Sequence, residues 1–341
     1  RWWWRGWKQP GRAGDHHPVV QISMQKIEFH AMGCQMSAFV DSWSHAAAQA
    51  LAQVPAWFEE WEQALSRFRS DSELSRLNAR GGQAIPVSPT LFAAVQAALE
   101  AARRSQGLVS PTLLPYVEQA GYDRSFERLA EGGNAPLPER QTPPSIDAWR
   151  AIRLDETRQT VYLPAGARLD LGGSAKGWAA QQAMERLQAL GPALVDAGGD
   201  IAVSGPQAGG LPWPVAVADP LQAQENLGML MLEKCGVATS GIDYRRWLSG
   251  GPWKPHIIAP RTAQPAETDL MSVTVVAEDV LQAETAAKQA MILGSRAARE
   301  WLDSRPDLTG ILALQDGQVF YTQSEPDEQW SAHVAEDFLH P

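Results

Sequence analysis

Residues 170–177 read Asp-Leu-Gly-Gly-Ser-Ala-Lys-Gly and run directly into a helix-forming stretch at 178–190. No other segment limits the fold of this chain so tightly. Two adjacent glycines let a backbone turn sharply and approach another group closely, and a helix starting behind them offers its first amides to an anion. Lys176 adds a point charge suited to a pyrophosphate, and Asp170 an acceptor for a ribose hydroxyl or a ring N–H. The spacing is neither a Walker A loop nor Gly-x-Gly-x-x-Gly, so nucleoside-triphosphatase and Rossmann readings lose support. A tight strand-to-helix turn with a solvated lysine is the plain structural alternative.

Further small-residue segments follow. Ala197-Gly198-Gly199-Asp200 comes after a run ending at Val195, and Ala238-Thr239-Ser240-Gly241 precedes Asp243, Arg245 and Arg246. His256-Ile257-Ile258-Ala259-Pro260-Arg261-Thr262 sets a lone histidine beside a small-residue turn. Residues 24–40 alternate as a strand, with Gly33 near the middle permitting close backbone approach. Strand character also marks 195–203, 213–217 and 272–277, and 149–163 reads as a hairpin. Helices are expected over 41–65, 73–78, 89–105 and 281–293. Ser88 caps the third of these, and Pro89 sits in its first turn, where a missing N–H is harmless. No regular βαβ rhythm emerges, so the fold class is α+β, a large mixed α/β domain with two lobes.

The chain is long enough for such a unit, at 341 residues with 44% apolar side chains. Its net charge of −10 disfavours nucleic acid and anionic lipid as partners. Cys34 and Cys235 make neither a disulfide framework nor a metal cluster, and they read as small buried apolar residues. No run of roughly 18 apolar residues is present to span a bilayer. Residues 1–23 are foreign in composition, basic and Trp-rich, without the apolar core of a secretory signal. The expectation is therefore a disordered or over-read segment 1–23, a true start at Met24 and a cytoplasmic location. The main domain is expected over 24–320 with a possible inserted linker at 131–145, followed by a C-terminal tail, 321–341.

Taken together and in order, these segments resemble the ApbE family of FAD:protein FMN transferases. Met32-Gly33, Ser70-Asp71-Ser72-Glu73-Leu74-Ser75-Arg76-Leu77-Asn78 and Ser110-Pro111-Thr112 resemble the family's N-terminal half. The 170–177 segment, Ala197 to Asp200, Thr239-Ser240-Gly241, His256 to Thr262 and Ser272-Val273-Thr274-Val275 resemble the remainder. The resemblance implies an ApbE-like fold and transfer of FMN from FAD to a Ser or Thr hydroxyl of a target flavoprotein, with AMP released and Mg²⁺ assisting. By position it implies FAD contacts at Met32, Phe68, Ser110, Thr112, Asp170, Lys176 and Ile258. His256 becomes the candidate base. Metal ligands would be the backbone oxygen of Gly173 and the carboxylate of Glu284.

Several positions depart from the family pattern. Phe68 stands where Tyr is frequent, Ser110 and Ala259 where Asp is usual, and Ala263 where Gly is usual. The metal corner, usually Ala-Asp-Ala-x-x-Thr, reads Ala283-Glu284-Thr285-Ala286-Ala287-Lys288. A protonated lysine has no lone pair for a metal. Glu284 and Lys288, four apart on a helix, are expected to pair. Lys288 is then either a catalytic cation in the metal's place, with Mg²⁺ bound weakly or not at all, or half of an ordinary surface ion pair. Asp269 is a possible compensating ligand. The alternatives to transferase activity are an FAD pyrophosphatase and a non-catalytic FAD-binding protein with a degenerate metal site.

Overall fold

The computed structural model describes residues 24–124, 147–222, 224–242 and 257–322, with the backbone of 246–248, 253–255 and 332–334. The segment 1–23, the linker 131–145 and His256 lie outside the described residues.

Eight strands form the main sheet: β1 (Met24–Ala31), β2 (Cys34–Asp41), β3 (Ala193–Ala197), β4 (Asp200–Ser204), β5 (Lys234–Gly241), β6 (Leu270–Ala277), β7 (Thr309–Leu314) and β8 (Val319–Thr322). They lie side by side in chain order, and each neighbouring pair is antiparallel. The α+β expectation is thereby met. Long excursions leave the sheet between β2 and β3, β4 and β5, β5 and β6, and β6 and β7.

Two stretches expected as single strands are hairpins. Residues 24–40 fold back at Met32 and Gly33, whose φ angles of 48° and 68° give the doubly left-handed turn that matches strand twist. Residues 195–203 fold back at Gly198 and Gly199, at φ 70° and 96°. The alternation of apolar residues runs through both turns, and this hides them in the sequence.

The helices are α1 (His45–Leu65), α2 (Glu73–Asn78), α3 (Pro89–Arg104), α4 (Leu114–Gln119), α5 (Ala175–Leu187), α6 (Val280–Leu293) and α7 (Ser295–Asp303). Helix α1 begins later than expected because the Ser44 side chain caps it, accepting from Ala47 N–H at 3.1 Å. Pro55 removes one internal hydrogen bond from α1. The buried stripe Leu51, Val54, Phe58, Trp61 and Leu65 carries the helix through, each side chain contributing about 1.5–3 kcal/mol. An aromatic chain links the first hairpin to α5: Phe29 to Phe58 (5.1 Å between centroids), Phe58 to Trp61 (5.3 Å) and Trp61 to Trp178 (5.6 Å). Helices α1, α5 and α6 cover one face of the sheet with the core of Val195, Ala202, Ala238, Val273 and Val275. On the other face, Leu194, Val203, Val237, Val276 and Ile311 pack against a small sheet built from Trp213–Ala218 and Asn226–Leu232. Ala332–Val334 adds a third strand to that sheet.

The 70–78 motif is a bracket. Ser72 caps α2 through Ser75 N–H at 2.9 Å, and Glu73 accepts from Ser88 N–H at 2.7 Å and Ser88 Oγ at 2.5 Å, tying α2 to the start of α3. Asn78 donates to the Leu169 carbonyl at 2.9 Å and accepts from Leu169 N–H at 2.7 Å. A polar string at one end of a short helix thus fixes the backbone that leads to Asp170.

Candidate functional site

Asp170 enters the site on a backbone held from two sides. Its N–H donates to the Pro111 carbonyl at 2.8 Å, so Ser110-Pro111-Thr112 lies against it. The Ser110 and Thr112 hydroxyls bond each other at 2.9 Å. Asp170 Oδ1 accepts from Gly172 N–H at 2.8 Å, closing the turn before α5, and Oδ2 lies 3.5 Å from Arg67 Nε.

Arg67 connects this turn to the aromatic residues. Its guanidinium stacks 4.1 Å from the Phe68 centroid and 4.6 Å from that of Tyr122. Its side chain is 6% exposed, and Nη2 finds no hydrogen-bond partner among the described residues. Phe68 itself is 42% exposed. Tyr122 packs beside Ile258 in a small cluster with Tyr116, Val117 and Ala263, which brings the 257–263 loop to the same place. Ala263 adopts φ 54°, the left-handed conformation that the family's usual Gly would take without strain. Met32 joins through polar links: its N–H donates to Glu62 at 2.8 Å, and Glu62 lies 3.5 Å from the Arg69 guanidinium, next to Phe68.

Two lysine–carboxylate pairs stand at the start of α5. Lys176 Nζ bonds the carboxylate of Asp200 on β4. Lys288 Nζ on α6 bonds Glu284 Oε1 at 2.9 Å. In both pairs the acid lies deeper: Asp200 and Glu284 are 3% and 2% exposed, whereas each lysine is 16% exposed. The ammoniums therefore stand between buried carboxylates and the surface. The contacts with α5 are close. A Cβ added to Gly173 would stand 3.4 Å from Lys288 Cε, and one added to Gly177 would stand 2.5 Å from Glu284 Oε2. Burial pushes the Glu284 carboxyl well above its usual range, and Asp200 adds to this while Lys288 and Lys176 oppose it. Asp196, at the end of β3, is likewise raised by burial, to about 6, although Gly199 N–H donates to it at 2.7 Å.

The expected site residues Met32, Phe68, Ser110, Thr112, Asp170, Gly173, Lys176, Ile258, Glu284 and Lys288 thus form one linked region. His256 lies outside the described residues. Asp269 is not at this place: it caps α7, accepting from Ser295 N–H at 2.8 Å and from its hydroxyl. The sequence reading missed Arg67 and Tyr122, whose stacking depends on chain segments far apart, and it left Asp200 without its role as counter-ion to Lys176.

The fold and this region define a mixed α/β protein with a lysine-flanked helix start suited to a pyrophosphate. The ApbE family profile matches residues 32–312, and the chain belongs to that family. Among curated relatives, the FAD:protein FMN transferase of Treponema pallidum is 30% identical over 285 residues, covering 79% of this chain and 78% of that protein. That of Salmonella typhimurium is 28% identical over 301 residues, covering 84% and 82%. Among solved structures, the ApbE protein of Thermotoga maritima superposes with a TM-score of 0.75 at 22% identity, covering 88% of this chain and 97% of that one. The flavin transferase ApbE of Vibrio cholerae gives a TM-score of 0.70 at 20% identity, with 89% and 98% covered.

The donor set does not suit a divalent ion. Among the described residues no three His, Cys, Asp or Glu side chains group closely enough to hold one. The carboxylate expected as a ligand, Glu284, already faces an ammonium. A hard cation such as Mg²⁺ needs several oxygen donors, and a neighbouring positive charge repels it.

Proposed function

We propose that this chain binds FAD and transfers its FMN half to a Ser or Thr hydroxyl of a target flavoprotein. The observation that carries the reading is the convergence of Lys176 and Lys288 on the start of α5, in a member of a family whose curated relatives are FAD:protein FMN transferases.

The chemistry asks for a held pyrophosphate, positive charge over its oxygens, and a base near the incoming hydroxyl. The Ser174 side chain does not cap α5, and a helix start of this kind favours a phosphate. Lys176 and Lys288 supply point charges from two sides. The rings of Phe68 and Tyr122 suit a flavin or adenine plane, and Asp170 suits a ribose hydroxyl or ring N–H. The acceptor oxygen attacks the FMN-side phosphorus. A new P–O bond forms as the bond from that phosphorus to the bridging oxygen breaks. AMP departs with the bridging oxygen and its electron pair, and the hydroxyl proton passes to a base. His256 is the candidate base, histidine being the side-chain type suited to proton transfer near neutral pH. Positive charge aimed at the pyrophosphate lowers the barrier by stabilising charge that builds on the leaving phosphate.

The test is incubation of the full chain with FAD and a flavoprotein domain bearing a Ser or Thr acceptor. The readouts are flavin fluorescence that survives denaturing electrophoresis, and AMP. Both appearing together, in equal amounts, is the expected result. AMP with free FMN and no labelled acceptor points to a pyrophosphatase. FAD binding without AMP points to a flavin-holding protein.

A further inference from the structure

We propose that the Lys288 ammonium stands in for the divalent cation at this site, so that the pyrophosphate of FAD is engaged without metal. The inference rests on the flavin reading above and deepens it.

Three observations converge. The Lys288 stem runs along Gly173, with Cε 3.4 Å from where a Cβ on that residue would stand. Its ammonium bonds a carboxylate pressed so closely against Gly177 that a Cβ there would lie 2.5 Å from Glu284 Oε2. The cation is thus wedged between α6 and the turn into α5 rather than waving at the surface, and 16% exposure leaves it reachable from outside. Among the described residues no set of three acidic, His or Cys side chains is left to hold a metal.

The order of charges fits this arrangement. A pyrophosphate diester approaching from the surface meets the ammoniums of Lys176 and Lys288 before the deeper carboxylates that back them. The carboxylates hold the lysines in place. A tethered ammonium supplies point charge without coordination geometry. The Glu284–Lys288 pair is therefore part of the site and not a surface ion pair of little consequence.

The experiment uses the full chain, with FAD titrated by flavin fluorescence in excess EDTA and again in millimolar Mg²⁺. A second readout is the electron paramagnetic resonance signal of added Mn²⁺, which reports bound metal independently of flavin. Expected are equal FAD affinities in both conditions and a Mn²⁺ signal that stays that of the free ion. Lys288→Gln should weaken FAD binding about ten- to a hundredfold, the loss of one charge-assisted contact. Since that change strands a buried carboxylate, the Lys288→Gln/Glu284→Gln pair is measured beside it and should show the same weakening. Lys288→Thr should bind FAD poorly in EDTA and recover with Mg²⁺. FAD binding by the wild-type chain that collapses in EDTA, with Mn²⁺ bound stoichiometrically, overturns the inference and leaves the flavin reading intact. Wild-type affinity retained by the double variant also overturns it. Absence of FAD binding in every condition overturns the flavin reading itself, and the inference with it.

Discussion

Gly177→Ala isolates the contact on which the site depends. Residue 177 is the third of α5, where replacing glycine by alanine ordinarily gains up to about 1 kcal/mol of helix stability. Here the new methyl would stand 2.5 Å from Glu284 Oε2 and 3.2 Å from Cδ. The carboxylate must move, and it is 2% exposed, so it has no solvent to move into. Its 2.9 Å bond to Lys288 is the natural casualty, at about 1.5–3 kcal/mol for a charge-assisted hydrogen bond. The net expectation is a loss of about 1–2 kcal/mol, or a fall in Tm of roughly 1.5–3 °C. Urea unfolding gives the free energy, and a parallel FAD titration should show weaker binding. Repeating the change in a Glu284→Ala background should remove the penalty, because the residue that clashes is gone. A Gly177→Ala chain that gains stability, or one whose loss persists in the Glu284→Ala background, refutes the packing described here.

Three further outcomes are expected. Ala263→Gly should stabilise the chain by about 0.5–1 kcal/mol in urea unfolding, since residue 263 sits at φ 54° and only glycine adopts that region freely. Asp196→Asn should change the pH dependence of stability. The folded carboxyl is raised to about 6 from 3.8, so the native state holds its proton where the unfolded chain has released it. Stability is therefore lost as pH rises through that window, by up to about 3 kcal/mol. Asparagine keeps an acceptor for Gly199 and has nothing to titrate. The variant should exceed the wild type in unfolding free energy at pH 8, with the gap closing toward pH 4. Asn78→Ala removes both bonds to Leu169 and should cost about 2–3 kcal/mol while weakening FAD binding, measured by the same titrations.

Much of the fold was legible because local signals and packing agree. Ser88 caps a helix where the sequence places it, and 73–78 is a helix end to end. The hairpins at 24–41 and 193–204 were less legible, because the apolar alternation continues across Met32-Gly33 and Gly198-Gly199, and a sequence pattern does not show chain reversal. The site divides in the same way. Glu284 and Lys288 sit on one helix, so their pairing follows from spacing. Arg67 reaches Asp170 across about a hundred residues of sequence and stacks on Tyr122 from another loop, and nothing in the string Leu-Ser-Arg-Phe-Arg marks it. The pairing of Lys176 with Asp200 likewise needs α5 laid against β4.

On the proposed reading, the start of α5 holds a pyrophosphate between Lys176 on that helix and Lys288 on α6. Calorimetric titration of the full chain with FAD and, separately, with riboflavin tests it most directly, because the two ligands share the flavin ring and differ by the phosphates and adenosine. Binding of FAD at least about tenfold tighter than riboflavin, with most of that advantage lost in Lys176→Met, is the expected result. Equal affinity for the two ligands, or an FAD advantage untouched by Lys176→Met, contradicts it.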